Sequence, residues 1–159
     1  MLVYFVRHGE AVAQGDDWER PLTSDGANLI RAEAAVLKTL GVHPTAVFSS
    51  PLPRAVQTAE ILVEALCPDS GFNTRDELAP GADLGDVATV LSGLENDAVA
   101  MIVGHEPDLS SIVGKLISES GARVKVRKGG VALVNVLLPV APNSGELLWL
   151  LEPRVLVSS

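Results

Sequence analysis

Three short runs, residues 2–6, 45–48 and 98–103, are apolar almost without a break. A strand with one wet face alternates polar and apolar residues, whereas a strand covered on both faces does not. These runs therefore predict central strands of a sheet that carries helices on both sides. The intervening sequence supplies the helices. Thr23 stands as an N-cap, with Ser24 and Asp25 in the first turn. Ala27, Ile30, Ala34, Leu37 and Leu40 then recur at three- and four-residue steps, and Gly41 follows where a helix-ending glycine belongs. After the second run, Ser49-Ser50-Pro51 reads as a turn, with Pro51 suited to the first position of a helix. Ala55, Ala59, Leu62, Val63 and Leu66 form that helix's apolar face, and Pro68 stops it. Residues 72–78 suit a short edge strand, and 84–94 a weaker helix. Pro107 opens a helix over about 108–119. Residues 123–128 alternate basic and apolar side chains, predicting a half-exposed strand. Gly129-Gly130 makes a turn, and 131–138 and 146–152 read as strands joined through Pro142-Asn143-Ser144-Gly145. This order predicts an α/β protein: a three-layer α/β/α sandwich with a mainly parallel central sheet and antiparallel C-terminal strands.

With 159 residues, 47% hydrophobic, and no repeat or linker, the chain is expected to form one domain over 1–159. The net charge of −8 argues against nucleic acid as a partner, which would call for a basic footprint. Cys67 is the only cysteine, so it has no intramolecular disulfide partner, and it suits a small buried position. The first strand leaves no room before it for a leader, and no run reaches the ~18 apolar residues of a membrane span. A cytoplasmic location away from membranes is expected.

In open α/β sheets, ligands bind beyond the carboxyl ends of the parallel strands. The first run ends in Arg7-His8-Gly9, the second in Ser49-Ser50 with Arg54 one turn into the helix, and the third in Gly104-His105. Arginine presents a planar fork of donors matched to phosphate oxygens, and histidine can act as nucleophile or base. Two arginines, two histidines and the N-terminus of the helix after Pro107 are thus expected to meet at one anion site. Each residue also has a plainer reading. Arg7 and Arg54 would serve as surface cations, His105 as a helix cap, and Ser49 and Ser50 as turn residues, since no G-x-S-x-G elbow surrounds them. His43 lies in an exposed connection. His105-Glu106 lacks the second histidine of a zinc helix, because position 109 is Leu. Neither nucleotide-binding glycine motif is present.

Arg7-His8-Gly9, Ser49-Ser50-Pro51 with Arg54-Ala55 and Gln57-Thr58-Ala59, and Gly104-His105 together resemble the histidine phosphatase superfamily. Arg20-Pro21-Leu22-Thr23 with Gly26, and the short length, resemble its SixA-type phosphohistidine phosphatase branch. The resemblance implies a phosphoglycerate mutase-like fold and a covalent phospho-His8 intermediate. It also implies Arg7, Arg54 and His105 around the phosphoryl group, Arg20 as a further substrate contact, and no metal or cofactor. Physics agrees: a nucleophilic histidine must be neutral, and nearby guanidinium charges lower its pKa. Many members carry a general-acid glutamate where Pro80 falls here. Glu77, Asp83 and Asp86 are the nearby carboxylates. An alkoxide leaving group needs a proton more than an imidazole does, so this gap favours phosphohistidine on a histidine phosphotransfer protein as substrate. A small-molecule phosphomonoesterase and a non-catalytic phosphohistidine-binding module are the alternatives. A mutase would need a closed pocket. The stretch between Leu66 and Ala98 is too short for a large lid, leaving the site open to a side chain on another protein. Arg123, Lys125, Arg127 and Lys128 would frame its mouth and attract an acidic partner, or simply form a solvated strand face. The residues specify no oligomeric state.

Overall fold

The computed structural model describes residues 1–157. It contains strands β1 (Leu2–Arg7), β2 (Ala46–Ser49), β3 (Asn73–Thr74), β4 (Val99–Gly104), β5 (Val131–Val136) and β6 (Gly145–Leu151). The helices are α1 (Ser24–Thr39), α2 (Pro53–Leu66), α3 (Leu84–Leu91), α4 (Asp108–Leu116) and α5 (Pro153–Val157). The strands form one sheet in the order β3-β2-β4-β1-β5-β6. β1 and β2 both pair in parallel with β4, and β3 pairs in parallel with β2. β5 and β6 add antiparallel strands beyond β1.

Successive side chains of β1 point to opposite faces. Val3 and Phe5 pack with Leu91, Leu109, Ile112 and Leu116 from α3 and α4. Tyr4 and Val6 pack with Ile30, Leu37, Ala59 and Leu62 from α1 and α2. Burial on both faces explains why the three central runs carry no polar alternation. Each fully buried Leu, Ile or Phe contributes roughly 1.5–3 kcal/mol of transfer free energy. The result is the three-layer sandwich expected from the sequence. Cys67 is buried and His43 exposed, also as expected. Among the described residues, no helix is long and apolar enough to cross a membrane.

Caps behave as their residue types require. Thr23 Oγ1 accepts the Gly26 N–H at 2.9 Å, and Gly41 takes a φ of 78° just past the end of α1. Several boundaries differ from the sequence pattern. Pro53, not Pro51, is the first residue of α2, and Leu52 precedes it as N-cap. The edge strand β3 has only two residues and gives way to a short 3₁₀ turn, Asp76–Leu78. α4 ends at Leu116 because the chain doubles back there: Ala122 N–H donates to Gly114 O at 2.9 Å. A Cβ on Gly114 would lie 2.2 Å from Ala122 O, so only glycine allows this crossing.

Residues 123–128 are not a strand. Val126 is fully buried and Val124 packs against the core, so the apolar alternation is obeyed. The backbone of Val126 is satisfied by side chains instead of a ladder: its N–H reaches Ser110 Oγ and its carbonyl accepts from Arg7 Nη1. The β1 edge that this segment would need is taken by β5. α5, absent from the sequence pattern, packs against α1.

Candidate active site

The three strand ends that the sequence singles out are neighbours in space, because β2, β4 and β1 are adjacent. Hydrogen bonding continues one step past the strands. His8 N–H donates to Gly104 O at 3.1 Å and Ser50 N–H to Val103 O at 3.0 Å. The sheet therefore fixes the backbone on both sides of the site. A cavity of about 260 Å³ opens there, lined by Arg7, His8, Arg20, Arg54 and His105. All five residues named from the sequence meet at this cavity.

His8 is 8% exposed. Its Nδ1 lies 2.6 Å from the Gly9 carbonyl, which can only accept, so Nδ1 carries the proton. Nε2 is then a bare lone pair, and it accepts from Arg54 Nε at 3.2 Å. The imidazole pKa is lowered to about 4. Burial is the largest cause, the Gly9 hydrogen bond opposes it, and the charges of Arg54, Arg7 and Lys128 lower it further. Desolvation thus matters more than the guanidinium charges that the sequence brings to mind.

Arg54 lies in the first turn of α2 and is 5% exposed. Thr58, one turn on, locks it to the His8 turn. Thr58 Oγ1 donates to Arg54 O at 2.7 Å and accepts the Gly9 N–H at 3.1 Å. The remaining donors of Arg54 turn to Asp17: Nη1 to its carbonyl and Nη2 to its carboxylate at 3.4 Å. Arg20 pairs with the same carboxylate and also donates to Val12 O at 3.1 Å. Asp17 thus engages the guanidinium groups of both Arg54 and Arg20.

His105 is 4% exposed, with its ring centroid 5.1 Å from that of His8. Its Nε2 lies 2.7 Å from Ser50 Oγ. The Ser50 oxygen accepts the Leu52 N–H at 3.3 Å and also has a proton to offer His105 Nε2. The other ring nitrogen, Nδ1, is buried with no hydrogen-bond partner. Arg7 Nη1 donates to Val126 O at 3.2 Å, while its Nε is also buried and unpartnered. Buried donors are nearly always satisfied. Arg7 Nε and His105 Nδ1 are thus two buried nitrogens without a partner in residues that line the cavity. Burial, followed by the charges of His8 and Arg54, lowers the His105 pKa to about 3.

The three carboxylates near the position of the family's general acid do not line the cavity. Glu77 is paired with Arg75 at 2.7 Å. Asp83 and Asp86 form a capping box at the start of α3. Pro80 does line the cavity, as do Asp17, Glu106 and Lys128. The sequence pattern does not single out Asp17 or Glu106, nor Ser50 as a partner for His105. Glu106 had a sequence signal in its place directly after His105, and Ser50 in its place at a strand end, whereas Asp17 had none. Of the four basic residues expected at the mouth, Lys128 lines the cavity, 3.7 Å from Glu10. Lys125 and Arg127 line an adjoining groove, and Arg123 lines neither.

Comparison with known proteins places the chain in a family. The model of the histidine phosphatase superfamily (branch 1) matches residues 3–79. Phosphohistidine phosphatase SixA of Escherichia coli strain K12 is 36% identical over 122 residues, covering 75% of this chain and 73% of that protein. An uncharacterised protein of Picosynechococcus sp. is 37% identical over 138 residues, 82% of each chain. The solved structure of protein histidine phosphatase SixA complexed with tungstate superposes with a TM-score of 0.87 at 29% identity, covering 98% of this chain and 99% of that one. A putative SixA from Agrobacterium tumefaciens, at 20% identity and TM-score 0.78 over 96% and 97% of the two chains, shares the fold. The chain belongs to the histidine phosphatase superfamily, as a phosphatase of its SixA branch.

Proposed function

We propose that this phosphatase hydrolyses phosphohistidine on a histidine phosphotransfer protein through a covalent phospho-His8 intermediate. The observation that carries the reading is the state of His8: buried, neutral, and presenting a bare Nε2 to a cavity with arginine donors around it. Nε2 attacks phosphorus, and the electron pair of the breaking P–N bond leaves on the substrate imidazole. Arg7, Arg54 and His105 hold the phosphoryl oxygens as charge redistributes. Arg20 contacts the entering group. Asp17 yields its place on Arg54 and Arg20 to the phosphoryl oxygens. Phosphoryl transfer depends on such positioning and electrostatic stabilisation more than on covalent chemistry by the protein.

Pro80 supports the choice of substrate. It lines the cavity, and by resemblance it falls where an ester-cleaving relative carries its proton donor. A phosphohistidine ring already protonated on its far nitrogen leaves as a neutral imidazole without one. The test compares rates on a phosphorylated histidine phosphotransfer domain and on sugar phosphates, for the wild type and His8→Ala. A strong preference for the phosphoprotein, abolished in His8→Ala, is expected. Preference for the esters would instead assign a small-molecule phosphomonoesterase, and binding without turnover a recognition module.

A further inference from the structure

Hydrolysis of a phosphoenzyme requires that water lose a proton as it attacks. Most groups at the cavity are unsuited to take it. His8 Nε2 would itself carry the phosphoryl group. His105 Nε2 is engaged by Ser50, and its Nδ1 is buried away from solvent. Asp17 is 57% exposed and its carboxylate is tied to the cavity through Arg54 and Arg20, the contacts it yields when the phosphoryl group enters, so it is not held in place to take a proton. Glu77, Asp83 and Asp86 lie outside the lining. Glu106 remains. It lines the cavity, directly follows His105 at the end of β4, and forms no ion pair among the described residues.

Its carboxylate is held in place. Oε1 accepts the Ser110 N–H at 2.9 Å and Oε2 the Ser110 hydroxyl at 2.6 Å. Ser110 Oγ accepts the Val126 N–H at 3.0 Å, and the Val126 carbonyl accepts from Arg7 Nη1 at 3.2 Å. One residue, Val126, thus fixes Arg7 directly and Glu106 through Ser110. Each carboxylate oxygen keeps a second lone pair for another proton donor. Glu106 and Arg7 also interact electrostatically: burial lowers the Arg7 pKa and the Glu106 charge opposes that.

We propose that Glu106 is the general base that activates water against phospho-His8, a role that rests on the covalent reading above. As water oxygen bonds to phosphorus, one water proton passes to the Glu106 carboxylate. The P–Nε2 bond breaks and its electron pair returns to Nε2. The products are hydrogen phosphate, neutral His8 still protonated on Nδ1, and protonated Glu106, which loses its proton to solvent. The base reaches the cavity from β4, on the chain segment that carries His105, and not from the segment around Pro80.

Single-turnover kinetics with radiolabelled phosphoramidate separate capture of the phosphoryl group from its release. In Glu106→Gln, capture stays near the wild-type rate while release slows by ~10²–10⁴-fold, the range of general-base catalysis, so acid-labile phosphate accumulates on the protein. In Glu106→Ala, added formate speeds release by supplying the missing carboxylate. Release from Glu106→Gln at the wild-type rate would overturn the assignment. So would equal slowing of both steps, which would mark Glu106 as a support for Arg7, or a failure of formate to rescue. If no phosphoenzyme forms in any variant, wild type included, the covalent reading itself fails, a result distinct from rapid release by Glu106→Gln.

Discussion

The Ser50 hydroxyl is hydrogen-bonded to His105 and so bears on which of its ring nitrogens holds the proton. Ser50 is fully buried, and its hydroxyl lies 2.7 Å from His105 Nε2. Ser50→Ala removes this hydrogen-bond partner while leaving the imidazole in place. The expected result is a kcat about 10–100-fold lower, with a smaller change in KM. Removing an oxyanion donor outright costs more, about 10²–10³-fold. Steady-state kinetics beside a thermal melt check it, since a melt close to the wild type's excludes loss of fold as the cause. His8, Arg7, Arg54 and His105 are legible in the sequence because each sits at or just past the end of a recognisable strand, or one turn into the following helix. Ser50 is visible there too, but a serine before a proline reads equally well as a turn residue. Its role depends on a histidine 55 positions away, which only the fold brings near. Asp17 is less legible still: it lies in a polar loop, and its partner Arg54 is 37 positions on.

At the scale of elements, α1 carries an anomaly. Glu33 shares the helix's buried face with Ile30, Ala34 and Leu37, is fully buried, and has neither carboxylate oxygen hydrogen-bonded. Desolvation raises its pKa to about 8. The folded state then holds a proton that the unfolded chain releases above about pH 4.5. Glu33's contribution to stability falls as pH rises through 4.5 to 8, and the loss is complete only above the folded pKa. Glu33→Met, similar in length and apolar, is expected to be more stable by a few kcal/mol at pH 8.5, with less benefit at pH 5. Urea midpoints at the two pH values measure this. The elements show where sequence patterns suffice. β1, β2, β4, α1 and α2 were legible because burial on two faces and helical periodicity each leave a direct trace. Residues 123–128 were not, because alternation reports which side chains are buried and not whether a partner strand exists. The start of α2 was misplaced because Pro51 and Pro53 both suit a first turn, and five-residue α5 is too short to show a period.

For the whole molecule, acid exposes the opposite sensitivity. His8 and His105 are buried and neutral, with pKa values of about 4 and 3 against 6.5 for a free imidazole. Below pH 6.5 the unfolded chain takes up protons that the folded state refuses, so their contribution to stability is lost as pH falls toward the folded pKa values. Moving from pH 7 to 5 is expected to cost on the order of 2–4 kcal/mol from this pair, read as a lower urea midpoint. Glu33 acts in the other direction, so stability should peak in the mildly acidic range. The pairing of strands has a kinetic counterpart. The amides of Arg7, His8 and Ser50 are bonded to Gly130, Gly104 and Val103 at the centre of the sheet. Their exchange with solvent deuterium requires the sheet itself to open. Asp17 and Arg20 lie instead in a loop closed by the Ala11–Leu22 bridge and the Val12–Pro21 hydrogen bond. That loop can release and re-form while the sheet stays intact. Losing the geometry of His8, the proposed nucleophile, therefore takes opening of the sheet itself, whereas the proposed exchange of Asp17's tethered carboxylate for an incoming phosphoryl group would be a local event.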